Sequence, residues 1–319
     1  MIGSLAIANA FRTRGAKILF VVNNNRETLQ AIKENMYSVA TAKNGDEECL
    51  ALKSFRPDVI VVNQLNNPLA YLKKLKKHAS LLVTIDDAGK GARVADIRFN
   101  PLYYAGEAFC GPEFATLRKE FKKTRKKCRV KKKATNILVT LGGSDTYGFT
   151  PKVVSALNKF PKDVSITVLL GPAFRHEKEL EKVLGNAGWS FVIARDVSAK
   201  EMVSIIAKAD VAVCSAGNTL YEVAHLGTPA VIVCGEPFEE ETARWVAERG
   251  FGVNLGFGKN LETRHIFKAV ADLMRDYKLR LRMSKKGKKL VNGKGAGRIV
   301  EIITRKLDEN SRSTVHKNK

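Results

Sequence analysis

Several things are missing from this 319-residue chain. No apolar run approaches the roughly 18 residues that a membrane-crossing helix needs. The stretch Met1 to Phe11 has no basic residue before it and no small-residue cleavage site after it, so it does not read as a secretory leader and the chain is expected in the cytoplasm. Five cysteines, Cys49, Cys110, Cys128, Cys214 and Cys234, are an odd number at wide spacings without a Cys-x-x-Cys pair, which excludes a disulfide framework or a zinc site as the organising feature. There is no Asp-x-Asp and no His-x-x-x-His, so no metal site and no cofactor is expected. Acids are few, with 32 Asp and Glu against 55 Lys and Arg and a formal charge of +23. That excess invites a nucleic-acid reading. Aromatics are scarce among the basic runs, however, with Phe121 alone in the densest, and no nucleic-acid motif is visible, so this partner is not expected.

What is present is an apolar share of 45%, enough for real cores and, at this length, for two domains. Short β-branched runs alternate with helical stretches. Lys17 to Val22, Asp58 to Val62 and Leu81 to Ile85 read as buried parallel strands, with helices over Glu27 to Glu34, Asp46 to Phe55 and Leu69 to His78. The second half repeats the plan with strands at Ile137 to Leu141, Ser165 to Leu170, Ser190 to Ala194, Val211 to Cys214 and Ala230 to Cys234. The fold class is α/β, with two doubly wound, Rossmann-like domains. Between the halves, Arg118 to Lys133 carries eleven basic residues in sixteen, which resists burial and places a linker there. The expected organisation is a first domain over 1–117, a basic linker over 118–134, a second domain over 135–309 and a disordered polar tail over 310–319. A βα domain normally opens on a strand, yet Ser4 to Arg14 reads as an amphipathic helix with Leu5, Ala8 and Phe11 on one face, so the first strand and its loop are absent from this reading.

In doubly wound sheets ligands collect at the carboxyl ends of strands, where amides and helix dipoles point outward. Three loops qualify. Leu141-Gly142-Gly143-Ser144-Asp145-Thr146 follows a strand, and its paired glycines would let amides approach a diphosphate; a tight turn without a ligand is the equal alternative. Ser215-Ala216-Gly217-Asn218-Thr219 forms a small polar helix entry, with Glu222 about one turn inside, where its carboxylate could accept hydrogen bonds from a ribose diol; a capped helix is the bland alternative. In Gly235 to Thr242 most of the four acids should face solvent as first-turn residues. In the first half, Asp86 and Asp87 end the LLVTI strand, and one of them is expected to position an acceptor or a water. The five histidines, at 78, 176, 225, 265 and 316, lie outside such loops and read as core or surface residues.

The segments SLAIANAF, TIDDAGKGARVADIRFNPL, CGPEFATLRKEF, LVTLGGSD, SAGNTLYEVAHLGTPAVIV and NGKGAGRIV occur in that order over nearly the whole chain. In this combination the sequence resembles the GT-B family typified by the PseG UDP-sugar hydrolase and the SpsG spore-coat polysaccharide proteins, and more distantly by MurG. The resemblance implies two domains facing a cleft, with the C-terminal one holding the nucleotide. It assigns the diphosphate to Gly142, Gly143 and Ser144, the helix entry to Ser215, Gly217, Asn218 and Thr219, and the ribose to Glu222. It implies displacement of UDP from a UDP-sugar by a glycan or lipid-linked acceptor, or by water as in the hydrolase. Transfer is preferred because no feature marks a water site and the basic surface suits an anionic acceptor. Relatives begin with a strand and a Gly-x-Gly-His-x-x-Arg loop ahead of the helix matching SLAIANAF, where this chain has Met1-Ile2-Gly3, and Asn63 stands where relatives often have an acid. Two expectations follow for that stretch: a start set late, or an inactive nucleotide-sugar binder. The basic runs, including Lys278 to Lys289, read mainly as solvated faces, with an anionic membrane surface at the inner face of the membrane as the alternative partner.

Overall fold

The structure is a computed structural model that describes residues 2–102, 108–125, 129–185 and 191–317. Cys128, Ser190 and part of the basic run, 126–128, lie outside the described residues. The chain divides into two compact units, one formed by Met1–Leu117 with Lys294–Lys319, the other by Arg118–Gly293.

The first unit runs α1 (Ile2–Arg12), β1 (Leu19–Val22), α2 (Arg26–Glu34), β2 (Ser38–Thr41), α3 (Gly45–Phe55), β3 (Val59–Val62), α4 (Leu69–Lys76), β4 (Leu81–Ile85), a 3-10 turn over Lys90–Val94, β5 (Ile97–Asn100) and β6 (Phe109–Cys110). The second runs α5 (Lys119–Thr124), β7 (Asn136–Thr140), α6 (Phe149–Leu157), β8 (Ser165–Leu169), α7 (Glu177–Gly185), β9 (Val192–Ala194), α8 (Ala199–Lys208), β10 (Val211–Cys214), α9 (Asn218–Leu226), β11 (Ala230–Cys234), α10 (Glu239–Glu248), β12 (Gly252–Phe257), α11 (Thr263–Arg275) and α12 (Tyr277–Leu290); α13 (Gly295–Lys317) returns to the first unit.

In the second unit six strands pair in parallel in the order β12-β11-β10-β7-β8-β9. Counted from β7, this is the 3-2-1-4-5-6 order of a doubly wound sheet, with its reversal between β7 and β10. Every residue of β10 and β11 is buried, as continuous apolar runs of a parallel sheet require. A core of Ile137, Val139, Val168, Val213, Val231 and Val233 packs under Val153, Val154, Ile266 and Val270 from α6 and α11.

The first unit is built differently. Its strands form two sheets, β1-β2 and β3-β4-β5-β6, that share no hydrogen bonds between described strands. Helix α1 covers both. Ile7 and Phe11 pack with Leu81, Val83, Ile85 and Phe99, while Leu5 and Ala8 pack with Phe20, Ile32 and Tyr37. The expected single apolar face holding Leu5, Ala8 and Phe11 is thus two faces, because the helix has sheet on two sides.

Two organisational expectations are corrected. The basic stretch over 118–134 is not a free linker. Phe121 on α5 is fully buried, and Arg118 and Arg125 bond Glu222 and the Lys288 carbonyl of the same unit, so the charges ring an apolar anchor. The end of the chain is not a disordered tail from 310. Residues from Gly295 form one helix to Lys317, and Ala296, Ile299, Val300 and Ile303 at helical spacing pack onto the sheet of the first unit. The second unit therefore ends at Gly293 rather than at 309.

Candidate functional site

The sheet order of the second unit identifies where to look, since the carboxyl ends of β7 and β10 flank the topological reversal. The Gly-Gly loop leaves β7 and the Ser215 loop leaves β10. Gly142 has φ +87°, a left-handed conformation that glycine adopts without a Cβ penalty. A methyl group there would lie 3.4 Å from Ser215 Oγ, so the two loops touch. Gly143 and Ser144 are exposed, with open space where a Cβ of Gly143 would be. Ser144 Oγ lies 3.1 Å from Thr146 Oγ1. The loop is held from behind by Gly171, where any Cβ would collide with the carbonyls of residues 142 and 143. Asp145, at φ +43° and buried, accepts from Phe149 N (2.9 Å) and Thr150 N (2.8 Å). Its carboxylate thereby occupies the first amides of α6 and leaves the Gly-Gly turn as the open part of the loop.

Helix α9 begins at Asn218 with Gly217 as its N-cap, and no side chain caps its first turn. Ser215 is buried, Gly217 and Thr219 half-buried and Asn218 exposed. Uncapped N-terminal amides carry the positive end of the helix dipole and attract anions. One turn on, Glu222 is buried and gripped by Arg118, which donates from Nε to Oε1 (3.0 Å) and from Nη2 to Oε2 (3.2 Å). Burial pushes the Glu222 carboxyl pKa up, and the Arg118 guanidinium opposes that shift. A carboxylate has about four acceptor positions. The fork fixes its plane while leaving lone pairs for further donors. Arg118 was not visible as a site residue, because its partner lies more than a hundred positions away and its neighbours form a basic run.

Glu239 corrects the picture of the third loop. Three of its acids are exposed or half-buried as expected, but Glu239 is buried and accepts from Gly235 N (2.7 Å) and Ala216 N (3.3 Å). Its carboxylate ties the loops after β10 and β11 together behind the helix entry. Desolvation raises its pKa against those amide bonds, and its charge together with burial pushes the Cys234 thiol up to about 12.

In the first unit, Asp86 and Asp87 have diverged environments. Asp87 is fully buried; its Oδ1 accepts from Asn67 N (3.1 Å) and Gly89 N (2.8 Å), and its Oδ2 from Asn67 Nδ2 (2.7 Å). Gly89 and Gly91 lie so close to the backbone of residues 66–68 that a Cβ on either would collide. Asp87 is therefore the clasp of a two-loop contact. Asp86 sits at φ +51° and accepts only from Leu102 N (3.1 Å) among the described residues. Its pKa is raised to about 6 because burial outweighs that one bond. Nearby, Asn63 Nδ2 donates to Ser4 Oγ (3.1 Å).

Among the described side chains no histidine joins either constellation. His225 is buried with Nδ1 2.8 Å from the Val291 carbonyl, His176 packs edge-on to Phe174, and His265 is exposed. Cys214 and Cys234 are fully buried free thiols in their strands, as small apolar residues would be. Among the described residues no cluster of three or more metal-ligating side chains occurs, and no helix is long and apolar enough to cross a membrane.

No protein-family model matches the chain. The spore coat polysaccharide biosynthesis protein SpsG of Bacillus subtilis is 27% identical over 266 residues, covering 79% of this chain and 78% of that protein. Among solved structures, Acinetobacter baumannii MurG superposes with a TM-score of 0.68 at 15% identity over 95% of each chain. The UDP-GlcNAc 2-epimerase of Neisseria meningitidis, solved with UDP-GlcNAc bound, gives 0.59 at 13% identity over 91% of this chain and all of that one. The fold is that of the GT-B class, an α/β protein with parallel sheets in two Rossmann-like domains. Within that class the chain is SpsG-like, by its sequence match to the Bacillus protein.

Proposed function

We propose that the protein is a glycosyltransferase-like enzyme of polysaccharide or surface-glycan biosynthesis that displaces UDP from a UDP-sugar. The observation that carries this reading is the meeting, at the reversal point of the second unit's sheet, of an open Gly-Gly turn and an uncapped helix start, with a braced carboxylate one turn further on. The turn amides at Gly142 and Gly143, the Ser144 hydroxyl, and the helix entry at Ser215, Gly217, Asn218 and Thr219 suit a diphosphate. Glu222, with its plane set by Arg118, suits a ribose diol. The SpsG match supports the polysaccharide context, and the epimerase solved with UDP-GlcNAc supports a UDP-sugar as the ligand class.

In the reaction the bond from the anomeric carbon to the diphosphate oxygen breaks and its electron pair leaves with UDP. Positive potential at the turn and the helix start stabilises the charge that develops on that oxygen. The new bond forms from an acceptor hydroxyl, whose proton passes to a base. Asp86 is the group we assign to the acceptor, because a carboxyl with a pKa near 6 is ionised at neutral pH yet basic enough to take a proton. Asp87, with three donors on its two oxygens, holds the loop that presents it.

Titration calorimetry of the full chain with UDP tests the nucleotide half. Saturable binding is expected, weakened at least tenfold by Glu222→Ala. Glu222→Gln, which keeps the shape beside Arg118, should show an intermediate loss. No binding of UDP, or affinity indifferent to both changes in folded protein, overturns the reading. UDP released from UDP-GlcNAc only when a glycan acceptor is present marks transfer, and release without one marks hydrolysis.

A further inference from the structure

A second constellation lies wholly within the first unit and uses none of the residues above except the flank of the Asp87 loop. The 3-10 turn over Lys90–Val94 and the start of β5 form one wall of a groove of about 1070 Å³. The opposite wall is a single stripe of α13, where Ile302, Arg305, Lys306 and Glu309 recur at helical spacing. Phe109, 43% exposed, stands in the groove with its ring stacked on Phe99 at 5.3 Å.

Five cations line this space: Lys90, Arg93, Arg98, Arg305 and Lys306. The acids are already engaged. Asp96 accepts from Leu82 N (2.8 Å) and pairs with Lys76 (2.7 Å), and Glu309 lies 3.5 Å from Lys306. Arg305 pairs with Glu301 outside the groove at 3.6 Å. Lys90, Arg93 and Arg98 have no acceptor among the described residues. Arg98 is the informative one. It is half-buried, and its Nε is closed off from water without a hydrogen-bond partner. Arg125 and Arg280 share such an unpartnered Nε, but their Nη groups are anchored, Arg280 on four carbonyls and Arg125 on the Lys288 carbonyl, whereas no nitrogen of Arg98 has an acceptor among the described residues. With Nε closed off, the donors that Arg98 offers to the groove are its two Nη nitrogens, and an anion there would give this half-buried cation the acceptor it lacks.

We propose that this groove is a binding site for a phosphate ester whose organic part is apolar or aromatic. Guanidinium groups pair bidentately with phosphate oxygens, so Arg93 and Arg98 would hold the phosphate with Lys90 beside them, while Phe109 and Ile302 supply the surface for the organic part. The same chemistry is offered by a soluble aryl phosphate and by the headgroup and first carbons of an anionic lipid.

Full-length protein, an Arg93→Gln/Arg98→Gln variant and a charge-matched Lys200→Gln/Lys278→Gln control, whose lysines are exposed on the second unit, separate the possibilities. Phenyl phosphate binding is measured by calorimetry, and co-sedimentation is measured with phosphatidylcholine vesicles with and without phosphatidic acid. The site predicts saturable binding of at least one probe, weakened at least tenfold in the arginine variant and less than twofold in the control. Discrimination with phenyl phosphate identifies a soluble ester; discrimination only with phosphatidic acid vesicles identifies a lipid headgroup. Equal losses in both variants, or no saturable binding of either probe, overturn the proposal.

Discussion

The two units differ in how fully they answer the charged groups they enclose. In the second, each buried carboxylate has at least two donors: Asp145 has two amides, Asp210 has Thr135 N, Asn136 N and Asn136 Nδ2, Glu222 has Arg118, and Glu239 has two amides. Arg280, fully buried, donates to the carbonyls of Leu273, Met274, Lys131 and Lys132. In the first unit Asp87 is met by three donors, but Asp86 has one and Arg98 none. Among the described residues the second unit answers every one of its buried carboxylates and anchors the arginines it encloses through their Nη groups, leaving only the Nε of Arg125 and Arg280 without an acceptor. The first unit leaves side-chain charge incompletely answered, the condition under which such groups bind ligands or exchange protons.

The largest effect that tests this contrast is at Arg280. Arg280→Met removes donors from four carbonyls at once and frees the stretch at Lys131–Lys132 from α12. Each lost charge-assisted bond in the interior is worth about 1 kcal/mol or more, so urea unfolding should show a loss of about 4 kcal/mol. A loss below about 1 kcal/mol would mean that the guanidinium is no part of the framework, and the contrast between the units would fail. Composition reads the basic run as solvated faces, and for most of α12 that description holds, with Lys278, Lys285, Lys286 and Lys289 exposed. Arg280 is the exception that composition could not reveal, because burial of one cation in a run depends on carbonyls brought from elsewhere in the chain.

The same distinction explains what could be read in advance. Strands β7, β10 and β11 are continuous apolar runs ending in Gly or Ser loops, and they were legible because a parallel sheet buries both faces. Strand β2, Ser-Val-Ala-Thr with exposed ends, and β12, Gly-Val-Asn-Leu-Gly-Phe, carry too little apolar signal and were not identified. The Gly-Gly turn and Glu222 stand out as candidates from local pattern. Arg118, Asp145 and Glu239 do not, since their roles arise from contacts between loops that the fold assembles. The identical letters of Asp86 and Asp87 hid different environments, because a left-handed residue at 86 turns the chain between them.

Asp87→Ala measures the satisfied half of that pair. Two main-chain amides and the Asn67 side chain lose their acceptor in a fully buried place, and the contact between the loops at 66–68 and 87–91 opens. A destabilisation of about 3 kcal/mol is expected in chemical denaturation, with amide exchange at Asn67 and Gly89 accelerated more than elsewhere in the unit. If exchange at those two amides is unchanged, the clasp is not formed by Asp87.

Asp86→Asn reads the unsatisfied half and gives the smallest change. The folded carboxyl has its pKa raised to about 6, above an unfolded value near 3.9, so between those values the folded state holds the extra proton. Stability therefore falls as pH rises through roughly 4 to 6, and the penalty is complete above the folded pKa. About two pKa units correspond to at most about 3 kcal/mol, and partial solvent access brings the expected figure nearer 2 kcal/mol. Asparagine accepts the left-handed backbone and can keep the acceptor for Leu102 N without a charge. The variant should match the parent at pH 4, exceed it by about 2 kcal/mol at pH 7, and lose the slope between. A variant less stable than the parent at pH 7 would mean that the ionised carboxylate is already compensated, and the proton-accepting role given to Asp86 would lose its physical basis.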